Sequence, residues 1–250
     1  MNQRALRWWL LGAVAYLVFL GLTFPAQYLA DHLAKKLPQL ELAGVTGSVF
    51  SGSAAEVRYQ GTDLGAVDWH FDWLAPFAFN IGYRIDLHAE DRDLRGRVDL
   101  GVGVIHLRGL EGRIPVAAMD HWSPLPPDSV SGSLGLHLKE LSFKSGRLAS
   151  AEGELDLDEG VLKWPATATL GSFRMDISPA SGGGIQAAIA DVASPLKLDC
   201  SLSLSDTGAY HLKGVLAAKD PADQATRSLL AGLGTPDSTG RYPFDFTGQW

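Results

Sequence analysis

Few residues in this chain stand at spacings suited to chemistry, and the best placed are Asp68, His70 and Asp72 in Asp-Trp-His-Phe-Asp. Side chains of an extended strand alternate between two faces, so these three share one face and could converge on a cation. Asp-x-His-x-Asp has no diagnostic ligand spacing, however. The same alternation makes it an ordinary polar face opposite Trp69, Phe71 and Trp73. The single cysteine, Cys200, alternates with Leu196, Leu198, Leu202 and Leu204 and reads as a small core residue rather than a nucleophile. His106, His137 and His211 fall in strand-like segments, where a solvated face is expected. Trp69, Trp73, Trp122 and Trp164 are separated along the chain and read as core anchors. The nucleophile elbow Gly-x-Ser-x-Gly is missing, as are His-Glu-x-x-His, the Walker loop and the dinucleotide-binding glycines. No catalytic, cofactor-binding or metal-ligating residue is assigned, and no cofactor is expected.

The stretch that governs where such side chains can act is Trp8–Phe24, which has no charged side chain. At about 1.5 Å per residue a helix of this length nearly matches the ~30 Å hydrocarbon layer. Arg4 and Arg7 precede it, Trp8 and Trp9 suit one interface, and Tyr28 suits the other. The expected order is a cytoplasmic tail over 1–7, a transmembrane helix over 8–24 and an amphipathic neck over 25–40. A β domain would follow over 41–250, on the far side of the membrane from the tail. A cleaved signal peptide is the rival reading, but it needs a small residue at −3, and Phe24 occupies that place before Gln27.

Composition narrows the classes further. Of 250 residues, 46% are hydrophobic and 20% charged, which suits a folded chain. Two of the 21 basic residues precede the apolar run and no acidic one does. The rest therefore carries 19 basic against 28 acidic side chains, a formal −9. Such a surface repels phosphate backbones, so no nucleic-acid partner is expected. A lone cysteine forms no internal disulfide, leaving stability to packing or to partner subunits.

In the neck, Leu29, Leu33, Leu37 and Leu40 recur at helical spacing. Beyond Leu40 the period becomes two. Alternation runs through Trp69–Trp73, Ile81–Leu87, Val98–Val104, Leu134–Leu138, Leu196–Leu204 and Tyr242–Phe246. Turns are expected at Lys144–Gly146, Asp158–Gly160, Ser181–Gly184 and Asp206–Gly208. The fold class is therefore mainly β: an antiparallel meander forming a curved sheet, sandwich or open groove. One helix is expected after Asp220 as N-cap and Pro221, ending at Gly232 or Gly234. The Pro- and Ser-rich stretch Asp120–Ser131 reads as a loop within one β domain. Glycines opening alternating runs at Gly96, Gly132 and Gly153 are either a repeat that adds strands or the generic look of hairpins.

Taken together, several segments resemble one family. They are Gly44-Val-Thr-Gly-Ser-Val-Phe-Ser-Gly-Ser-Ala54, Val67-Asp-Trp69, Ile114-Pro-Val116 and Gly132–Leu141. Gly160-Val-Leu-Lys-Trp164-Pro-Ala, Leu170-Gly171 and Gly240-Arg-Tyr-Pro-Phe-Asp-Phe-Thr-Gly248 complete the set. With the tail, anchor and neck, they resemble type II secretion system protein N (general secretion pathway protein N). The resemblance implies a non-catalytic accessory component of the bacterial inner membrane, its β domain over 41–250 periplasmic, in the machine that moves folded periplasmic proteins through an outer-membrane secretin. Its expected partners are other inner-membrane secretion subunits, the secretin, or both, with the bilayer engaged by Trp8–Phe24. The alternative is a periplasmic lipid-binding or lipid-bridging groove of AsmA-like type. Alternation alone does not separate them, because a sealed core and an open groove both need one apolar face per strand.

Overall fold

The computed structural model describes residues 9, 12, 24–28, 30, 35, 37, 39–73, 81–101, 103–118, 126–144, 146–164, 167–220, 223–232 and 234–249. The expected anchor lies almost wholly outside these residues, as do the tail and part of the neck. Ala26, Gln27, Tyr28, Ala30 and Lys35 are helical. Among the described residues no helix is long and apolar enough to cross a membrane.

The chain forms two compact units, one of Met1–Asp72 with Tyr83–Glu90 and one of Trp73–Gly82 with Asp91–Trp250. The smaller unit contains β1 (Leu40–Ala43), β2 (Thr46–Gly47), β3 (Ser51–Tyr59), β4 (Thr62–Asp72) and most of β5 (Ile81–His88). Its strand order is β1-β3-β4-β5, with β2 also on β3. The glycine-serine motif makes the β2–β3 hairpin, in which Gly47 lies opposite Gly52. Ser48 N donates to Ser51 O at 2.8 Å, and Ser51 N donates to Ser48 Oγ at 3.2 Å. Gly52 in turn faces Trp69, and a Cβ there would lie 2.6 Å from the indole ring. Only glycine leaves room for the ring, whose Nε1 donates to Ser48 O at 3.1 Å. Phe71 packs edge-on against Phe50 (5.1 Å) and Tyr83 (5.4 Å). Ala54 and Val57 on β3 are buried opposite Val67 and Gly65 of β4. Phe24 O accepts from Val49 N at 3.0 Å, so the start of the neck is strapped to this hairpin.

The larger unit runs β6 (Asp93–Leu100), β7 (Val104–Pro115), β8 (Val130–Lys144), β9 (Arg147–Leu162), β10 (Ala168–Pro179), β11 (Ile185–Ala193), β12 (Leu196–Leu204), β13 (Ala209–Ala218), α1 (Gln224–Ala231) and β14 (Tyr242–Gln249). Strand order follows chain order and the pairings are antiparallel, so this is a meander that does not close on itself. Period-two patterning becomes cross-strand rows. One apolar row runs through Leu94, Gly112, Leu136, Leu155, Met175, Ile189, Cys200, Gly214 and Phe244 across all nine strands. The polar row beside it, on the other face, runs through Arg95, Glu111, His137, Glu154, Asp176, Ala188, Ser201, Lys213 and Asp245. Helix α1 packs on β10 and β13 and buries Leu230.

Several local expectations are corrected. Asp158–Gly160 is not a turn but lies inside β9, where Glu159 has φ 52° and the register with β8 and β10 shifts. A bulge and a turn use the same residues, since both need left-handed backbone. Val98–Val104 is two strands joined at a turn, with Gly101 N donating to Val104 O at 2.9 Å. Gly96, Gly132 and Gly153 sit within strands at or beside register shifts rather than opening them. The helix begins after Asp223, not Asp220, and Asp223 accepts the Thr226 hydroxyl. Asp223 N donates to Asp220 O, so the predicted cap residue instead closes the preceding turn. Of the stretch Asp120–Ser131 expected as a loop, residues 120–125 lie outside the described residues, and β8 already begins at Val130.

Candidate functional site

Asp68, His70 and Asp72 share one face of β4, with Asp68 opposite Ser53 and His70 opposite Ser51. His70 is exposed and the two aspartates are half-buried. Among the described residues no group of three or more His, Cys, Asp or Glu side chains is placed to hold a metal ion. Cys200 is buried on the apolar row, and burial, aided by Asp199, pushes its thiol pKa up, away from the reactive thiolate. The tryptophans divide. Trp69 is seated in the smaller unit against Gly52, whereas Trp73 and Trp164 are exposed rather than core anchors. Both stand just past a strand end, where alternation no longer says which side is inside. Trp122 lies outside the described residues.

The histidines are on the polar face as expected, and each has a carboxylate across the strand. His106 Nδ1 lies 3.0 Å from Glu140, His137 Nδ1 4.0 Å from Asp156 and His211 Nε2 2.8 Å from Asp245. Arg174 bridges Glu154 and Asp156 at 2.8 and 2.9 Å. Hydrogen bonding to Asp156 and the surrounding carboxylates raises the Arg174 pKa further. These are exposed pairs, each worth little in stability.

One charged group on this face was not legible as special. Asp99 is 1% exposed and lies between two arginines. Arg97 Nε donates to its Oδ1 at 2.9 Å, while Arg108 Nη1 lies 3.2 Å from Oδ2 without hydrogen-bond alignment. Alternation places Asp99 on the polar face, but nothing in the sequence shows that the arginines close over it. Elsewhere on this face, Asp176, Gln186, Ala188, Ser201 and Lys213 line an open depression of about 490 Å³. Small side chains make its floor, and opposite charges at its rim leave no one-signed field for a charged ligand.

The apolar face is the larger anomaly. Of its large side chains only Leu138, Ile185 and Leu196 are buried among the described residues. Leu136, Leu155, Met175, Ile189, Leu202 and Leu212 remain half-buried, and Phe246 is 54% exposed. A sealed core would take these side chains out of water, so the face is half-open. Among the described residues the sheet also ends at β14, which pairs with β13 on one side and with no described strand on the other.

Fold and surfaces define an antiparallel β protein with an apolar sheet face left half-open and a long strand at its margin. The chain belongs to the type II secretion system (T2SS), protein N family, which matches residues 38–245. The type II secretion system protein N of Vibrio cholerae is 29% identical over 259 residues, covering 99% of both chains. The protein of that name from Klebsiella pneumoniae is 28% identical, over 96% of this chain and 94% of the relative. The one from Aeromonas hydrophila is 25% identical, over 94% and 95%. No solved structure matches the chain.

Proposed function

We propose that this chain is a non-catalytic accessory component of type II protein secretion, held in the bacterial inner membrane by Trp8–Phe24. Its β units stand in the periplasm and act as a scaffold that contacts other secretion subunits, the secretin, or both. The observation that carries this reading is the family match over 38–245, with relatives aligned over nearly their whole length. The surfaces support it. The polar face is laced with paired charges, while an apolar face and an edge remain for contact. The test is capture of secretion subunits by the full chain purified in detergent. Failure against every subunit, by protein with a cooperative melt, would sink the reading.

A second reading is favoured by one observation, the half-open apolar face, which offers acyl chains a surface that a packed core would not. Mass spectrometry of the purified chain separates the two. Stoichiometric copurified phospholipid supports a lipid-binding groove, and a lipid-free chain that still captures secretion subunits supports the scaffold.

A further inference from the structure

β14 is the last strand of the larger unit, and no described strand lies on its outer side. An edge of this kind leaves a row of backbone N–H and C=O groups without ladder partners, and proteins ordinarily guard it with shortness, lysine, proline or bulges. β1, at the end of the smaller unit's sheet, is guarded by shortness, at four residues. β14 has eight residues and pairs with β13 without a register shift. It contains no lysine, one charge, and a proline only at its second position.

The two faces of this edge differ in chemistry. On the apolar side Phe244 and Phe246 stack at 6.0 Å, with Phe246 54% exposed. On the polar side the row ends at Asp245, the one charge of β14, with Lys213 across from it and His211 Nε2 at 2.8 Å on its inner side, so a strand added outside meets an acidic side chain. The entry to the strand is fixed. Asp237 accepts from Thr239 N at 2.8 Å and Arg241 N at 3.0 Å, which holds the last turn before Tyr242.

Building on the scaffold reading, and locating its contact, we infer that the outer edge of β14 takes an extended segment of a partner protein as an added strand, one that alternates apolar with basic residues. Its apolar side chains continue the row that ends at Phe244 and Phe246, and a lysine or arginine lies across from Asp245. The formal charge of −7 on the whole chain favours the same partner. Main-chain bonding supplies the affinity, and the alternating side chains supply the choice.

The test uses the full chain in detergent and two synthetic octapeptides, alternating Val-Lys and alternating Val-Glu. The Val-Lys peptide is expected to bind at least about tenfold more tightly and to slow amide exchange within Tyr242–Gln249. Asp245→Lys should reverse that preference, and Phe246→Ser should weaken both peptides about tenfold, with melting transitions retained. Asp206→Lys, in the turn before β13, makes the same charge change away from the edge. If it weakens the Val-Lys peptide as much as Asp245→Lys does, the attraction is only that of an acidic surface and the inference falls. It falls too if protection appears away from β14. A concentration-dependent dimer abolished by Asp245→Lys would replace the partner with a second copy. Subunit capture by wild type that persists in the Asp245→Lys, Phe246→Ser double variant overturns the edge and leaves the scaffold reading intact. A wild type that captures no subunit sinks the scaffold reading itself.

Discussion

The two units use the same alternating code and do different things with it. In the smaller, rings close on one another: Trp69 sits in the space left by Gly52, and Phe71 is flanked by Phe50 and Tyr83. In the larger, aliphatic side chains line nine strands and most of the large ones stay half-buried, with one described helix packed on β10 and β13. The smaller unit's rings are half-buried, and ring-on-ring and ring-on-glycine contacts fix their positions. A long meander of leucines presents more apolar surface than one eight-residue helix removes from water.

Breaking the smaller unit should have the largest effect. Gly52→Val drives its side chain into the indole and against the Thr46 carbonyl, 2.5 Å from where the new Cβ would stand. We expect a loss of about 3 kcal/mol in denaturant unfolding, with tryptophan fluorescence shifted to the red. A loss under half of that would mean the ring has another seat. Asp99→Ala comes next, at about 2 kcal/mol, because it uncouples two arginines from a buried carboxylate but leaves both able to reach water. Equal stability of the variant would show the pair to be incidental.

Leu202→Ala, on the half-open face, should cost about 1 kcal/mol, well below the ~2–5 kcal/mol of a fully buried leucine. Its measured cost therefore reports how covered that face is: a loss near ~3 kcal/mol would mean something seals it. The smallest effect concerns pH. Hydrogen bonds from Thr239, then the Arg241 amide, lower the Asp237 pKa from 3.8 to about 2. A depressed carboxylate stabilises above its unfolded pKa, so the turn before β14 should hold above pH 3.8 and loosen as pH falls toward 2. The Thr239 and Arg241 amide chemical shifts followed by NMR should move together in that window and not in Asp237→Asn.

Much of this was legible beforehand, for a physical reason. A strand's two faces are fixed by alternation, so the β class, Ile81–His88, Leu196–Leu204, and the exposed face of His106, His137 and His211 follow from residue order. What failed was punctuation. Gly160 and Gly96 look like strand ends in one dimension and are strand interiors in three, because a bulge asks the same of the backbone as a turn. Trp73 and Trp164, one and two residues past their strands, lost the alternation that would have placed them.

Order along the chain thus determined which side chains share a face, since that depends on neighbours two residues away. Whether an apolar face is covered, whether arginines close over Asp99, and which strand is left at the margin were decided only by the tertiary structure. Each depends on what folds back over a surface from tens of residues away, and period-two patterning is identical whether or not anything does.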